Sequence, residues 1–352
     1  MQTIDASFGH FVGLNESDAP ELLERMTSDD LPVSGDRYGI RSRLIARPKA
    51  SVADLASATL KKLLSVEPDD ATELGAVLVS SRVHHPEDVA NEALESIGLK
   101  CEGLGIERAC SGFPAVVRLA LETIDRIKKP VAVIAAEIIS RNINWEPAEG
   151  RLGDQQRASG QAAKLFADGA GAVIIRPTSS KDSNIILDAW QDHVADDQQL
   201  IQKIDVPDSK DPWGNVRPEI TTCMSMPGRR GFWLVKRAPE IMADAVKTSL
   251  ERVTTHLDEA SFERLHLVPH QPNGLILDRL AGIEFEEFKQ QKVWNCIQDA
   301  GNTVSASIPL AMSDSCEKIG APGVLAMPSV GAGGPGYKPD HLSHGCVLAK
   351  LV

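Results

Sequence analysis

The feature that most constrains this chain is an alternation. Short apolar runs of strand length recur, and the stretches between them carry apolar residues at helical spacing. Residues 76–79, 131–136 and 172–175 are such runs in the first half; 265–268, 293–296, 324–327 and 346–351 follow in the second. Val52, Leu55, Leu60, Leu63 and Leu64 share one helical face, and residues 86–97 read as a helix closed by Gly98. Phe113, Val117, Ala120, Ile124 and Ile127 line a third helix. Lys128 and Lys129 suit its negative end, and Pro130 stops it. Further helices are expected over 239–253, after Pro272 and over 305–316. Apolar strands separated by helices predict an α/β layered fold with buried sheets. Two polar stretches, 141–161 and 181–218, read as loops or small excursions over the body. The order of elements is similar in the two halves, without a residue-level repeat, and the boundary between them is expected near 177–183.

Composition narrows the function classes. The 352 residues are 42% hydrophobic and 24% charged, within the ordinary globular range. A net charge of -12 and the lack of a dense basic run exclude a general field for nucleic acid. A phosphate-bearing partner would need a local basic patch. Arg229, Arg230, Lys236 and Arg237 could form one, or could equally be a solvated loop and helix face. No apolar run is long enough to span a bilayer, and residues 1–10 do not read as a secretory signal. The six cysteines are scattered with no CxxC spacing, which argues against a zinc site or a disulfide framework and fits a reducing cytoplasm.

Four features carry chemistry. Cys110, in Ala109-Cys110-Ser111-Gly112-Phe113, lies between a strand and a long amphipathic helix. The positive end of that helix and its unpaired N–H groups favour a thiolate, and small neighbours would admit a thioester. Taken alone, the same cysteine reads as a buried, inert thiol. His270, in Val268-Pro269-His270-Gln271-Pro272-Asn273, sits at the tip of an apolar run, where an imidazole can act as base, acid or donor, or serve structure only. Asn302, in Ala300-Gly301-Asn302-Thr303, reads by itself as a turn and N-cap. Gly331, Gly333, Gly334 and Gly336 form a glycine cluster after an apolar strand. No long helix follows, so it is not a dinucleotide fingerprint. It can present a backbone N–H to an oxyanion or be a flexible turn.

In combination these stretches resemble the ordered landmarks of ketoacyl-ACP synthase III, a family of the thiolase superfamily. The resemblance runs from Tyr38-Gly39-Ile40-Arg41-Ser42-Arg43 through Ala-Cys-Ser-Gly-Phe and Phe166-Ala167-Asp168-Gly169-Ala170-Gly171-Ala172. It continues through Val-Pro-His-Gln-Pro-Asn and Gly-Asn-Thr-Val-Ser-Ala-Ser-Ile-Pro to the glycine-rich strand exit. It implies a thiolase fold: two similar halves, taken as 1–178 and 179–352, in a five-layered αβαβα arrangement, and a homodimer. It implies that Cys110 accepts an acyl group, while His270 and Asn302 hold the second thioester's oxygen and stabilise the enolate formed on decarboxylation. The N–H of Cys110 and one from the glycine segment, at Ala332 or Gly333, would form an oxyanion hole. Substrate binding would fall to Arg37, Phe232, Trp233 and Asn273. The substrates implied are acyl-CoA or acyl carrier protein thioesters, with no bound cofactor and no metal.

There are departures. No tryptophan precedes the Gly-Ile-Arg segment, and no arginine closely follows His-Gln-Pro-Asn. These point to a specialised fatty-acid, polyketide or secondary-metabolite pathway. The leading expectation is decarboxylative Claisen condensation with a malonyl-type thioester. The alternatives are acyl transfer to an oxygen or nitrogen acceptor, or a catalytically silent partner of an active homologue. Asn302 favours condensation, because a neutral amide suits an enolate, whereas an acidic residue there would better orient a histidine acting as base.

Overall fold

The computed structural model describes residues 6–32, 36–83, 85–146, 162–178, 184–195, 202–217, 219, 221–225, 228–334 and 338–352. Five strands of the first half are β1 (Ala6–Gly13), β4 (Ala76–Ser80), β5 (Glu102–Ile106), β6 (Val131–Glu137) and β7 (Gly169–Pro177), and a small hairpin adds β2 (Leu23–Thr27) and β3 (Ser42–Ala46). The second half contributes β8 (Ile185–Ala195), β11 (Arg264–Leu267), β12 (Gln290–Val293), β13 (Gly323–Gly334) and β14 (Lys338–Leu351). There, β9 (Gln202–Val206) and β10 (Thr221–Ser225) form a separate two-stranded ribbon. Helices are α1 (Val52–Val66), α2 (Pro86–Ile97), α3 (Gly112–Ile127), α4 (Gly228–Val253), α5 (Gly274–Ala281), α6 (Ile297–Ala300) and α7 (Ser307–Ser315).

The sheet topology shows a structural duplication. The first half orders its strands β5-β4-β6-β7-β1, and the second β12-β11-β13-β14-β8. In each, the first three strands are parallel and the last two run antiparallel to their neighbours. Where the two sets meet, β1 and β8 share one bridge, Ser7 with Ile185.

Side-chain alternation along the strands sorts the core into layers. Leu78 faces inward with Phe113, Val116, Val117, Ala120 and Ile124 of α3, and this cluster includes Ile308, Ala311 and Met312 of α7 with Leu325, Met327 and Val347. Its neighbours Val77 and Val79 face outward beneath α1 and α2. Leu265, Leu267, Val324 and Ala326 face outward under α4 and α5. Two helices thus fill the space between two sheets, with helices outside both, giving the five-layered arrangement.

Local signals explain the helix ends. Ser51 and Asp54 form a reciprocal capping box at α1. Pro86 opens α2 and Gly98, with φ of 71°, closes it in the left-handed region.

Several boundaries differ from expectation. The polar stretch 181–218 contains β8 and β9; β8 is the strand that joins the halves, and Asp188, Gln191, Asp192 and His193 interrupt its apolar residues. Helix α4 begins well before 239 and carries Pro239 inside it. β12 lies over Gln290–Val293, ahead of the expected 293–296. Most of the other polar stretch, 147–161, lies outside the described residues.

Candidate active site

Cys110 sits in a 3-10 turn, Ala109–Ser111, between the end of β5 and the start of α3. Ala109 adopts φ of 45°, a left-handed conformation uncommon for a residue with a side chain. The thiol is buried beneath β13. A Cβ built on Gly331 would lie 2.6 Å from Cys110 Cβ and 3.1 Å from its backbone N. Only glycine lets that strand pass so close. The glycine cluster is therefore not all loop: residues 331–334 belong to β13. Gly331 pairs with Ser343 and Ala332 with Leu342, and the ladder then shifts register between Ala332 and Gly334. Ala332 and Gly333 lie just beyond the contact with Cys110, which Gly331 makes.

His270 follows β11 and is 1% exposed. Its backbone N–H donates to Pro328 O of β13 at 2.9 Å. Its Nδ1 lies 2.7 Å from Ser307 Oγ at the first residue of α7. Gln271 is equally buried: its amide donates to Pro269 O at 2.7 Å, and its Oε1 accepts from Cys296 N–H at 3.1 Å. It locks the turn that carries the histidine.

Asn302 enters through the backbone. Its N–H donates to Leu165 O at 2.9 Å, and its carbonyl accepts from Ala167 N–H at 2.9 Å. Its side-chain Oδ1 accepts from Val304 N–H at 3.0 Å, while Nδ2 donates to Pro272 O at 3.2 Å. The second amide hydrogen is not consumed by these contacts. Val304, at φ of 55°, makes the tight turn that follows. This turn also packs on the nucleophile's helix: a Cβ on Gly112 would meet Ser305 Cβ at 2.9 Å. Strand β13 and the 304–306 turn together tie Cys110, His270 and Asn302 into one region.

The electrostatics correct one expectation. Burial pushes the Cys110 thiol up to about 12, with Arg82 opposing and Glu137 adding to the rise. Desolvation is the largest cause, and it favours the neutral thiol. Burial likewise lowers His270 to about 3, so its imidazole is neutral. Beside them lies a group that sequence reading missed. Glu137, the last residue of β6, accepts from Ser305 Oγ at 2.6 Å and from Arg82 N–H at 3.1 Å. Burial raises its carboxyl to about 7 against these stabilising bonds. A carboxylate closing an apolar β-strand was the available signal.

The remaining residues are dispersed. Arg37 is exposed in a 3-10 turn, Asp36–Tyr38. Asn273 is buried and caps α5, its Oδ1 accepting from Ile276 N–H at 3.0 Å. Trp233 is half-buried on α4; Phe232 lies on the same helix, but its side chain is outside the described residues. Lys236 and Arg237 are exposed there, Arg237 pairing with Glu240. Asp168 is structural: it accepts from Ile139 N–H at 2.6 Å and Ala46 N–H at 2.7 Å, joining β3 to the exit of β6. Among the described residues there is no cluster suited to a metal ion, and all six cysteines are free. No helix among them is long and apolar enough to cross a membrane.

The duplicated, five-layered architecture is the thiolase fold. Family models for 3-oxoacyl-[acyl-carrier-protein] synthase III match at residues 104–192 and, for its C-terminal part, at 263–335. The β-ketoacyl-[acyl-carrier-protein] synthase III of Clostridium perfringens is 27% identical over 315 residues, covering 88% of each chain. That of Aquifex aeolicus is 28% identical over 303 residues, covering 84% of this chain and 85% of the relative. The crystal structure of the Pseudomonas aeruginosa synthase III superposes with a TM-score of 0.68 at 20% identity, over 99% of this chain and 98% of that one. The chain is similar to ketoacyl-ACP synthase III in both matched segments and along most of its length, and is a ketoacyl-ACP synthase III-like enzyme of the acyltransferase class.

Proposed function

We propose that this enzyme catalyses decarboxylative Claisen condensation between an acyl group carried on Cys110 and a malonyl-type thioester. The observation that carries this reading is the convergence of Cys110, His270 and Asn302 through β13 and the 304–306 turn. Cys110 attacks the donor thioester and keeps the acyl group; the donor leaves as a thiol. Splitting the reaction through a covalent intermediate lowers each barrier. The N–H of Cys110, with one from Ala332 or Gly333, steadies the oxyanion. Loss of carbon dioxide from the second thioester then leaves an enolate, whose oxygen the His270 imidazole and Asn302 Nδ2 stabilise. Its carbon attacks the acyl-cysteine, and Cys110 departs.

The donor is an acyl-CoA or an acyl carrier protein thioester, with Arg37, Phe232, Trp233 and Asn273 as the residues proposed to bind it. The halves divide at 178/179, so the nucleophile belongs to one and the imidazole and amide to the other. The protein acts as a homodimer in the cytoplasm. Strand β5 ends its sheet, with Leu104 and Ile106 half-buried, and offers an edge for a second copy. The test is carbon dioxide release from labelled malonyl thioester added to preformed acyl-enzyme. No release, with an ester or amide product instead, would replace condensation by acyl transfer to oxygen or nitrogen.

A further inference from the structure

We propose that Arg43 is a positioning residue for Asn302: its guanidinium, carried on β3 of the first half, clamps the turn on which the asparagine of the second half is seated. This rests on the condensing-enzyme reading above and adds to it a residue that touches no substrate.

Arg43 is 0% exposed. An arginine at that depth normally faces a carboxylate. Among the described residues no carboxylate bonds to this one, and its Nε has no partner. Its partners are three backbone oxygens: Nη1 donates to Ala163 O at 2.7 Å and Phe166 O at 3.1 Å, and Nη2 donates to Lys164 O at 3.3 Å. The Trp145 ring centroid lies 5.8 Å from the guanidinium carbon. Burial lowers the group to about 10, with Asp36 opposing, so it is charged at neutral pH. Leu165 and Phe166 N–H both donate to Ala162 O, so the three oxygens lie at the open end of a helical turn. Carbonyls there lack N–H partners and favour a cation.

The turn that Arg43 closes is the seat of Asn302. Asn302 N–H donates to Leu165 O, Ala167 N–H donates to Asn302 O, and Phe166 forms a parallel bridge with Asn302. Gly301, at φ of 66°, brings the asparagine's loop against Arg43 itself: an added Cβ would fall 3.3 Å from Arg43 Cβ and 2.9 Å from Ala167 Cβ. The neighbours of Arg43 on β3 fix the same two segments. Leu44 O accepts from Asp168 N–H at 2.9 Å, and Arg41 N–H donates to Gln298 O at 2.8 Å. Bonds to Val304 and Pro272 orient the Asn302 side chain, while those to Leu165 and Ala167 place its backbone. A misplacement of about 1 Å can cost about a hundredfold in rate. Cys110 is held elsewhere, under Gly331 and in the Ala109–Ser111 turn. Arg43 therefore bears on condensation rather than on acyl loading.

Three measurements on the full-length enzyme test this. In nitrogen NMR of asparagine-labelled protein, the Asn302 side-chain amide is identified by its loss in Asn302→Ala. Arg43→Met and Arg43→Lys are expected to shift that signal; an unmoved signal in both overturns the proposal, whether or not carbon dioxide is released. Acyl loading is expected to stay within about tenfold in Arg43→Met, while carbon dioxide release from labelled malonyl thioester falls about a hundredfold. Arg43→Lys, which keeps the charge without the planar fork, is expected to recover part of that loss. Equal losses in loading and release overturn the proposal, since a merely structural arginine would give them. In the Asn302→Ala background, Arg43→Met is expected to slow release by less than about threefold more, because residues acting as one unit are not additive. A full multiplicative loss overturns it. Should Arg43→Met fail to fold, Arg43→Lys carries the same comparisons. A wild type that releases no carbon dioxide would instead remove the condensing reading, and the amide signal would still decide whether Arg43 places Asn302.

Discussion

Gly331 lies against Cys110 so closely that a methyl group on the glycine would fall 2.6 Å from the cysteine's Cβ. The atoms that would have to yield are a backbone N and Cα and the first side-chain carbon, not a flexible tip. Gly331→Ala is expected to displace the nucleophile and its N–H together. Loss of one preorganised oxyanion donor costs on the order of a hundredfold to a thousandfold in rate. Overpacking adds about 1–3 kcal/mol of destabilisation. Intact-protein mass spectrometry of acyl loading, alongside thermal unfolding, separates the two effects; loading at wild-type rate would contradict the geometry.

The Cys110 thiol, pushed up to about 12 by burial, predicts a pH profile. An acid with a raised value stays protonated until high pH, so the thiolate fraction climbs about tenfold per unit below that point. Alkylation by a small electrophile is expected to rise continuously from pH 7 to 10. A plateau in the neutral range would mean a resting thiolate. Cys110→Ala should remove both this alkylation and acyl loading.

Asn302 divides the two half-reactions. Loading needs the thiol and an oxyanion hole; condensation also needs a donor at the enolate oxygen. Asn302→Ala should leave loading within about tenfold but lower carbon dioxide release by on the order of a hundredfold to a thousandfold. Equal losses in both steps would show that the side chain's bonds to Val304 and Pro272 matter more than its donor.

Glu137 links stability to pH. Its folded-state value of about 7 exceeds its ordinary 4.5, so the folded state holds the proton more tightly. The resulting stabilisation is complete below the ordinary value and is lost as pH rises through 7. The ceiling is about 3 kcal/mol. Glu137→Gln stays neutral, and its amide can donate to Ser305 Oγ while its oxygen accepts from Arg82 N–H. Denaturant unfolding from pH 5 to 8 should show a flatter decline for the variant. Parallel declines would place that pH response on other groups.

The parts of the fold legible in the sequence are those where one physical signal dominates. Residues 86–97 form α2 as expected, because Pro86 and Gly98 mark its ends chemically. Val131–Glu137 is a fully buried strand, and its continuous apolar run says so. β1 and β8 were hidden, since Ser7, Gly9, Asp188 and Gln191 dilute the pattern in strands that pair through backbone bonds. At the site, Cys110, His270 and Asn302 stand out by motif. Ser307 and Glu137 do not, because a serine near a helix start and an acid at a strand end have ordinary local explanations. Their importance lies in contacts across long sequence separations, 37 residues for Ser307 with His270 and 168 for Ser305 with Glu137.

Strand β13 holds His270 by the carbonyl of Pro328 and passes Cys110 at Gly331. The two grips are separated by about 10 Å of extended chain, since a strand advances about 3.3 Å per residue. That length is a backbone constant, which no side-chain substitution can retune. β13 thus works as a ruler laid across the site. Point mutations can blunt the thiol or the imidazole but not change the interval between their supports. Only an inserted or deleted residue between Pro328 and Gly331 would do that, and it would also turn the following side chains of the strand to the opposite face of the sheet.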